Sequence, residues 1–258
     1  MQHSKINDFH LLDIENEIHP SVFFKDENYD LFIFRIPQIV DGKLVPISKA
    51  FVITANSYFY YNKDKKEFVD LKDINGFYKY LNKDIDSIMN LINNYVDEID
   101  TIEDDFYENK IDKNFNKQWF SYKNDFIKIN RILYKCVEVM TTIISQYKKD
   151  EDYLERNFED MLEHLQRAYR SSGMLLEKLD ALHNSYLLEN NEQMNRTVYI
   201  LTLLSGIFLP LNLIVGFFGM NTTSLPFTQG EGGTFFVINT LFISGIISTL
   251  LVYFIKKR

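Results

Sequence analysis

Residues Thr197–Met220 read TVYILTLLSGIFLPLNLIVGFFGM, and Asn221 follows at once. The segment is uncharged and strongly apolar, and about 20 residues at about 1.5 Å each cross a hydrocarbon core of roughly 30 Å. A second apolar segment, Thr234–Ile255, comes after the short stretch GMNTTSLPFTQGEGG (Gly219–Gly233), which contains no lysine or arginine. Arg196 precedes the first segment, and Lys256, Lys257 and Arg258 close the second. The positive-inside rule places both termini in the cytoplasm and the short connection outside. The fold predicted is therefore a cytoplasmic α+β head with long helices and a two-helix transmembrane region.

Charge is unevenly distributed. The chain has 258 residues and a net charge of −8. Only Glu231 and three bases lie from Thr197 onward, which leaves 35 acids and 25 bases in the first 196 residues. An acidic head argues against a nucleic-acid partner and suits attraction of cations. Cys136 is the only cysteine, so no disulfide framework or thiolate cluster exists, and it reads as a small core residue. The start, MQHSKINDFH, lacks the apolar run of a cleavable signal, so insertion is expected to rely on the C-terminal segments.

Residues 1–72 read as a small α/β domain. Apolar or alternating runs at Phe9–Ile14, Tyr29–Ile36, Ala50–Thr54 and Tyr58–Tyr61 are expected to be strands, broken by Pro20, Pro37, Asp41–Gly42 and Pro46. After Pro46 no proline occurs before Pro210, and Gly173 is the only glycine between Gly76 and Gly206. Stripes at three- and four-residue steps then predict long helices. One stripe is Ile85, Ile88, Met89, Ile92, Val96, Ile99, Ile102 and Phe106; a second is Phe126, Ile129, Leu133, Val137, Met140 and Ile144. These give an antiparallel helix pair over 73–149. A third pattern runs from Leu154 through Leu187 into Thr197 without a stop signal, giving a stalk over 150–196 continuous with a span over 197–218. An outer loop over 219–233, a second span over 234–255 and a basic tail over 256–258 complete the division.

Inside the first span, Asn195, Val198, Leu201 or Thr202, Ser205, Leu209, Asn212 and Gly216 share one helix face at a period near 3.5. Polar and small residues in lipid turn toward protein or water. A parallel bundle of such helices alternates wet amide or hydroxyl rings with narrow apolar rings at Leu201 and Leu209, which can gate by dewetting. A helix dimer held by Ser, Asn and Gly fits the same face. Gly219 stands where a left-handed glycine can cap a helix, and it would present the Asn221 amide at the outer mouth. Hydrated magnesium gives up its waters reluctantly, so neutral oxygens can hold the ion through those waters. The acids Asp97, Glu98, Asp100, Glu103, Asp104, Asp105 and Glu108 crowd one helix end, a pattern that usually marks a solvated surface. The histidines show no paired metal-ligand spacing, and Trp119 reads as packing. No phosphate loop, nucleophile elbow or triad order appears, so an enzyme is not expected.

LLSGIFLPLNLIVGFFGMN, followed by a short loop, a second span and a lysine-rich tail, closely resembles the CorA-type divalent-cation transporters, and the likeness extends over most of the chain. It implies a funnel-shaped homopentamer in the inner (plasma) membrane, surrounded by lipid. It implies magnesium as the transported and regulatory ion, with cobalt or nickel as further cargo and no other cofactor. In register with the family motif, Gly219, Met220 and Asn221 form the selectivity loop. Asn195, Val198, Leu201, Ser205, Leu209, Asn212 and Gly216 line the pore. Asp160 falls where an acid binds a regulatory cation between subunits, with Glu163 and His164 one turn on. Phe218 replaces a usual tyrosine, Asn212 a common threonine, and Val198 a larger gating side chain. The loop also lacks an acid close after Asn221, as in the zinc-transporting ZntB branch, which keeps a proton-coupled zinc transporter open. A membrane-anchored coiled-coil scaffold or sensor that conducts nothing is the alternative of another class.

Overall fold

The structure is a computed structural model that describes residues 6–55, 57–108, 110, 114–147, 155–220, 225, 227, 230 and 232–257. Its sheet is a five-stranded antiparallel meander in chain order, β1 (Val22–Lys25), β2 (Asp30–Val40), β3 (Lys43–Thr54), β4 (Ser57–Asn62) and β5 (Glu67–Asp70). The β2–β3 hairpin turns on Asp41 and Gly42, whose φ angles of 50° and 72° give the two-residue turn that Asp-Gly favours.

Two expectations for this region fail for physical reasons. Pro37 and Pro46 do not break strands; they lie opposite one another across the β2–β3 ladder. A directly opposed proline pair is tolerated where the missing N–H groups point outward, and β1 and β4 pair only with the far halves of these strands. The Phe9–Ile14 run is not a strand but part of helix α1 (Asp8–Glu15), started by Asn7, whose side chain accepts from the Phe9 N–H at 3.0 Å. Ile14 is fully buried from this helix, and the His10 ring stacks on Phe24 at 5.0 Å.

The sheet is covered on both faces, which explains why β2 is almost continuously apolar. Leu31, Ile33, Ala50 and Val52 pack with Ile14 and Tyr61 on the α1 side. Phe32 and Phe51 alternate to the other side and meet Phe77 at 5.5 and 5.4 Å between ring centroids. That side carries α2 (Ile74–Tyr107), which starts where the Asp73 carboxylate accepts from the Gly76 N–H at 2.8 Å. Between sheet and helix lies a buried ion pair, Lys49 Nζ to Asp84 Oδ1 at 2.6 Å.

Helix α3 (Phe115–Tyr147) runs antiparallel to α2, with Tyr95 against Tyr122 and Phe126 at 6.0 and 5.1 Å. Its buried stripe continues through Cys136, Val139, Met140 and Ile143, rotated by about one residue from the expected Val137 and Ile144. Helix α4 (Glu155–Phe218) packs its first part on both. There Asn130 donates to the fully buried Ser172 hydroxyl at 3.0 Å, and Lys123 pairs with Asp180 at 2.8 Å. The buried stripe of α4 stops at Leu182, and Leu187 is exposed.

One compact unit ends at Asn184 and a second begins at Ser185. The second contains the rest of α4 and α5 (Gly233–Lys257), which run antiparallel: Gly206 approaches Val252, and Gly245 approaches Leu211. Small and hydroxylated residues, Ser244, Gly245 and the buried Ser248, occupy the less exposed side of α5 and allow this approach. Both helices are long and apolar enough to cross a membrane, each with mean hydropathy 2.2 in its most apolar stretch. None of that stretch is buried in α4 and 6% is buried in α5, unlike the core helix of a water-soluble fold.

Candidate functional site

Helix α4 presents two different sides in the second unit. Leu203, Ile207, Leu211, Ile214 and Phe218 are partly covered and face α5. Ser205, Leu209, Asn212 and Gly216 are all exposed, and each lies two residues from a covered position, about 200° around the helix. Asn195, Val198 and Leu201 continue the exposed line toward the head. Ser205, Leu209 and Gly216 thus lie on a side that α5 leaves open, with Asn212 at its edge, whereas residues 191–202 are exposed all round. The face is amphipathic within an apolar segment: an amide at Asn195, a hydroxyl at Ser205, an amide at Asn212 and no side chain at Gly216, separated by Val198, Leu201 and Leu209. Asn212 also borders a groove of about 720 Å³ between α4 and α5, lined chiefly by Phe208, Val215, Phe242, Ile246 and Leu250.

Pro210 lies inside α4 without ending it. Its absent N–H would have bonded the Gly206 carbonyl, so one backbone oxygen in mid-span loses its intrahelical donor. Helix α4 closes with Gly219 N–H donating to the Val215 carbonyl at 2.8 Å and Met220 N–H to the Phe217 carbonyl at 3.4 Å. Gly219 is not the left-handed cap expected, since only Gly42 and Gly230 among the described glycines have positive φ. Space is what requires glycine here: a Cβ would sit 2.8 Å from the Val215 oxygen. Met220 is exposed. Asn221 lies outside the described residues.

Asp160, Glu163 and His164 lie on the first part of α4 but do not converge. His164 Nε2 is 3.8 Å from Asp160 Oδ1, whereas Glu163 is taken by Arg167 at 2.7 Å. The hydrogen bond and charge of Arg167 hold the Glu163 carboxyl below its ordinary range. Among the described residues no group of three or more His, Cys, Asp or Glu side chains is placed to hold a metal ion. The acidic end of α2 is partly bound within the chain. Lys178 of α4 bonds Asp100 at 2.7 Å and also Glu103, and these bonds raise its pKa. Between α2 and α3 a cleft of about 470 Å³ is lined by Tyr95, Glu98, Tyr122 and Asp125 among others. Burial, then the hydrogen bond with Glu98, pushes the Tyr122 phenol up to about 12.

Trp119 packs flat on His183 at 3.8 Å and 9°. Sequence reading did not find the Lys49–Asp84 pair, because nothing local marks two residues 35 apart as partners. It also missed the small side of α5, whose Ser244–Ser248 spacing was a legible signal.

The family model described as CorA-like Mg2+ transporter protein matches residues 41–258, and the chain belongs to that family. Among curated relatives, the Cobalt/magnesium transport protein CorA of Thermotoga maritima is 23% identical over 70% of this chain and 51% of its own length. The Divalent cation transporter CmaX of Pseudomonas aeruginosa is 28% identical over 38% of this chain and 27% of its own. The chain thus spans about half the length, or less, of the curated relatives it matches. Among solved structures, the complete CorA magnesium transporter from Methanocaldococcus jannaschii matches 96% of this chain and 83% of that chain. Its TM-score is 0.77 at 19% identity. The ZntB cytoplasmic domain from Vibrio parahaemolyticus matches 72% of this chain and 80% of that chain with TM-score 0.57 at 11% identity. At these identities the structural likenesses speak for the fold.

Proposed function

We propose that this chain is the subunit of a membrane channel or transporter for hydrated divalent cations, with magnesium as principal cargo and cobalt or nickel as further cargo. Five copies form a ring in the plasma (inner) membrane, with both termini in the cytoplasm and the seam of α4 turned to the axis. The Asn221 amides select the hydrated ion at the outer mouth, holding it through its waters. Leu209 and Leu201 form apolar constrictions that exclude water when narrow. Ser205, Asn212 and the backbone at Gly216 pass the ion between them, and Asn195 lines the inner exit. Val198 leaves the inner constriction wider than a larger side chain would. Asp160, with Glu163 and His164, serves as a regulatory cation site only where a neighbouring subunit completes it. No catalytic step belongs to this reading.

One observation carries the proposal: Ser205, Leu209 and Gly216 of α4 are exposed on the side that α5 does not cover, with Asn212 at its edge. Exposing amides and hydroxyls to hydrocarbon is costly, so this side belongs against water or other copies. Cysteine accessibility tests it in a Cys136→Ala background. Ser205→Cys and Leu209→Cys should be blocked by a charged thiol reagent during cation uptake, whereas Ile207→Cys and Leu211→Cys should not. Equal block on both sides would remove the seam from the pathway. The absence of acids from Thr222 to Gly230 favours a second reading, zinc transport coupled to protons; it predicts zinc uptake that grows with an inward proton gradient.

A further inference from the structure

The hairpin of α2 and α3 keeps its opposite charges on separate helices. Residues 74–107 carry eight acids and two bases, whereas 115–147 carry five bases and two acids. Helices so charged are expected to pair with one another, yet among the described residues no ion pair joins α2 to α3. The pairs that form run to the sheet, through Lys49 and Asp84, or to α4, through Lys178 and Asp180, or stay within α3. The remaining charges face outward in different directions. On α2, Asp86, Asn93, Asp97 and Asp104 share an exposed face at helical spacing. On α3, Phe120, Ile127 and Tyr134 recur every seven residues along one line, 60%, 40% and 47% exposed. Arg131 flanks that line, as do Lys128 and Lys135, which also pair with Asp125 and Glu138 on their own helix.

We propose that these two faces meet between copies of this chain, α3 of one copy against α2 of the next. The acidic surface that complements the basic and apolar face of α3 lies on the same chain, but on a helix side that the chain cannot bring to it. A second copy can. Because the two patches differ, the contact is head-to-tail, the kind that closes into a ring when its rotation closes. The apolar line supplies contact area, while the charges set register and oppose the alternative of two α3 faces meeting each other. The inference rests on the reading above only in taking the chain to assemble with itself, and it stands or falls independently of ion transport.

The antiparallel packing of Tyr95 on Phe126 puts Ile127 within about one residue of the level of Asn93. Rotation about an axis along the hairpin preserves that level. Full-length Ile127→Cys and Asn93→Cys chains, each in a Cys136→Ala background, are expressed singly and together and oxidised in native membranes. A disulfide-linked dimer is expected only on co-expression. Adding Lys128→Glu and Arg131→Glu to the first chain should cut its yield roughly fivefold or more, since like charges then oppose. Adding Asp97→Lys to the second should restore it. No dimer on co-expression, from oligomers of unchanged mass, overturns the inference. So does a dimer of Ile127→Cys alone, a cross-link to a different protein, or a yield indifferent to the charge reversals. Magnesium uptake by the parent chain is measured in parallel, so loss of the cross-link with intact uptake refutes the interface and spares the transport reading.

Discussion

At single residues, the chemistry is decided by what a side chain is allowed to touch. Gly219 has no room for a Cβ beside the Val215 carbonyl, so Gly219→Ala must shift the turn that leads into Asn221. It is expected to lose most cation uptake while leaving the melting of the head unchanged; normal uptake would show that the turn tolerates displacement. Asn221→Ala should abolish uptake with the oligomer intact. In the head, burial raises the Asp84 carboxyl above its ordinary range against the opposing pull of Lys49. Lys49→Met strands that carboxylate and should cost about 3 kcal/mol of stability. Asp84 also sets a sign. A carboxyl whose folded pKa exceeds its unfolded value binds more protons folded, so its contribution is full below the unfolded value of about 4 and is lost as pH rises through the folded one. Melting of the solubilised protein against pH should show that loss, and Asp84→Asn should flatten it; an unchanged slope assigns it elsewhere.

Among the elements, legibility followed the source of each signal. Long helices were plain from 74 to 218 because few prolines or glycines interrupt them and apolar residues recur at three and four. Strand β2 was visible for the opposite reason, a dense apolar run buried on both faces. The errors fell where a short run carries two meanings. Phe9–Ile14 has too few residues to separate a strand from an eight-residue helix, and the deciding feature was the Asn7 cap. Pro37 and Pro46 looked like breaks because their pairing with each other depends on strand register, which no local window contains. The exposed line proposed for the pore stands out in the sequence because Ser205, Asn212 and Gly216 are anomalies in an apolar segment. Asp160 does not, since acids are common along that helix and a partner residue has to come from elsewhere. Leu209 tests the seam at this scale. Leu209→Asn should raise resting cation leak by about tenfold, equivalent to ~1.4 kcal/mol off the barrier; a leak no greater than that of the parent would mean that Leu209 forms no constriction.

For the whole molecule, two apolar helices with an exposed polar line have no stable surroundings as a lone chain. Hydrocarbon suits Phe235, Phe242, Ile246 and Leu250 of α5, all exposed. It does not suit Asn195, Ser205 and Asn212 of α4. On the reading proposed above, self-association would resolve the conflict by turning the line inward. Membership of the CorA-like Mg2+ transporter family agrees with that solution. The direct test is magnesium uptake by the purified protein in liposomes loaded with a magnesium-sensitive dye, at two external pH values, with zinc in a parallel series. Saturable magnesium uptake, insensitive to the proton gradient and absent in Asn221→Ala, is the result predicted. Silence for both ions from intact oligomers, or uptake of zinc alone that grows with an inward proton gradient, would contradict it.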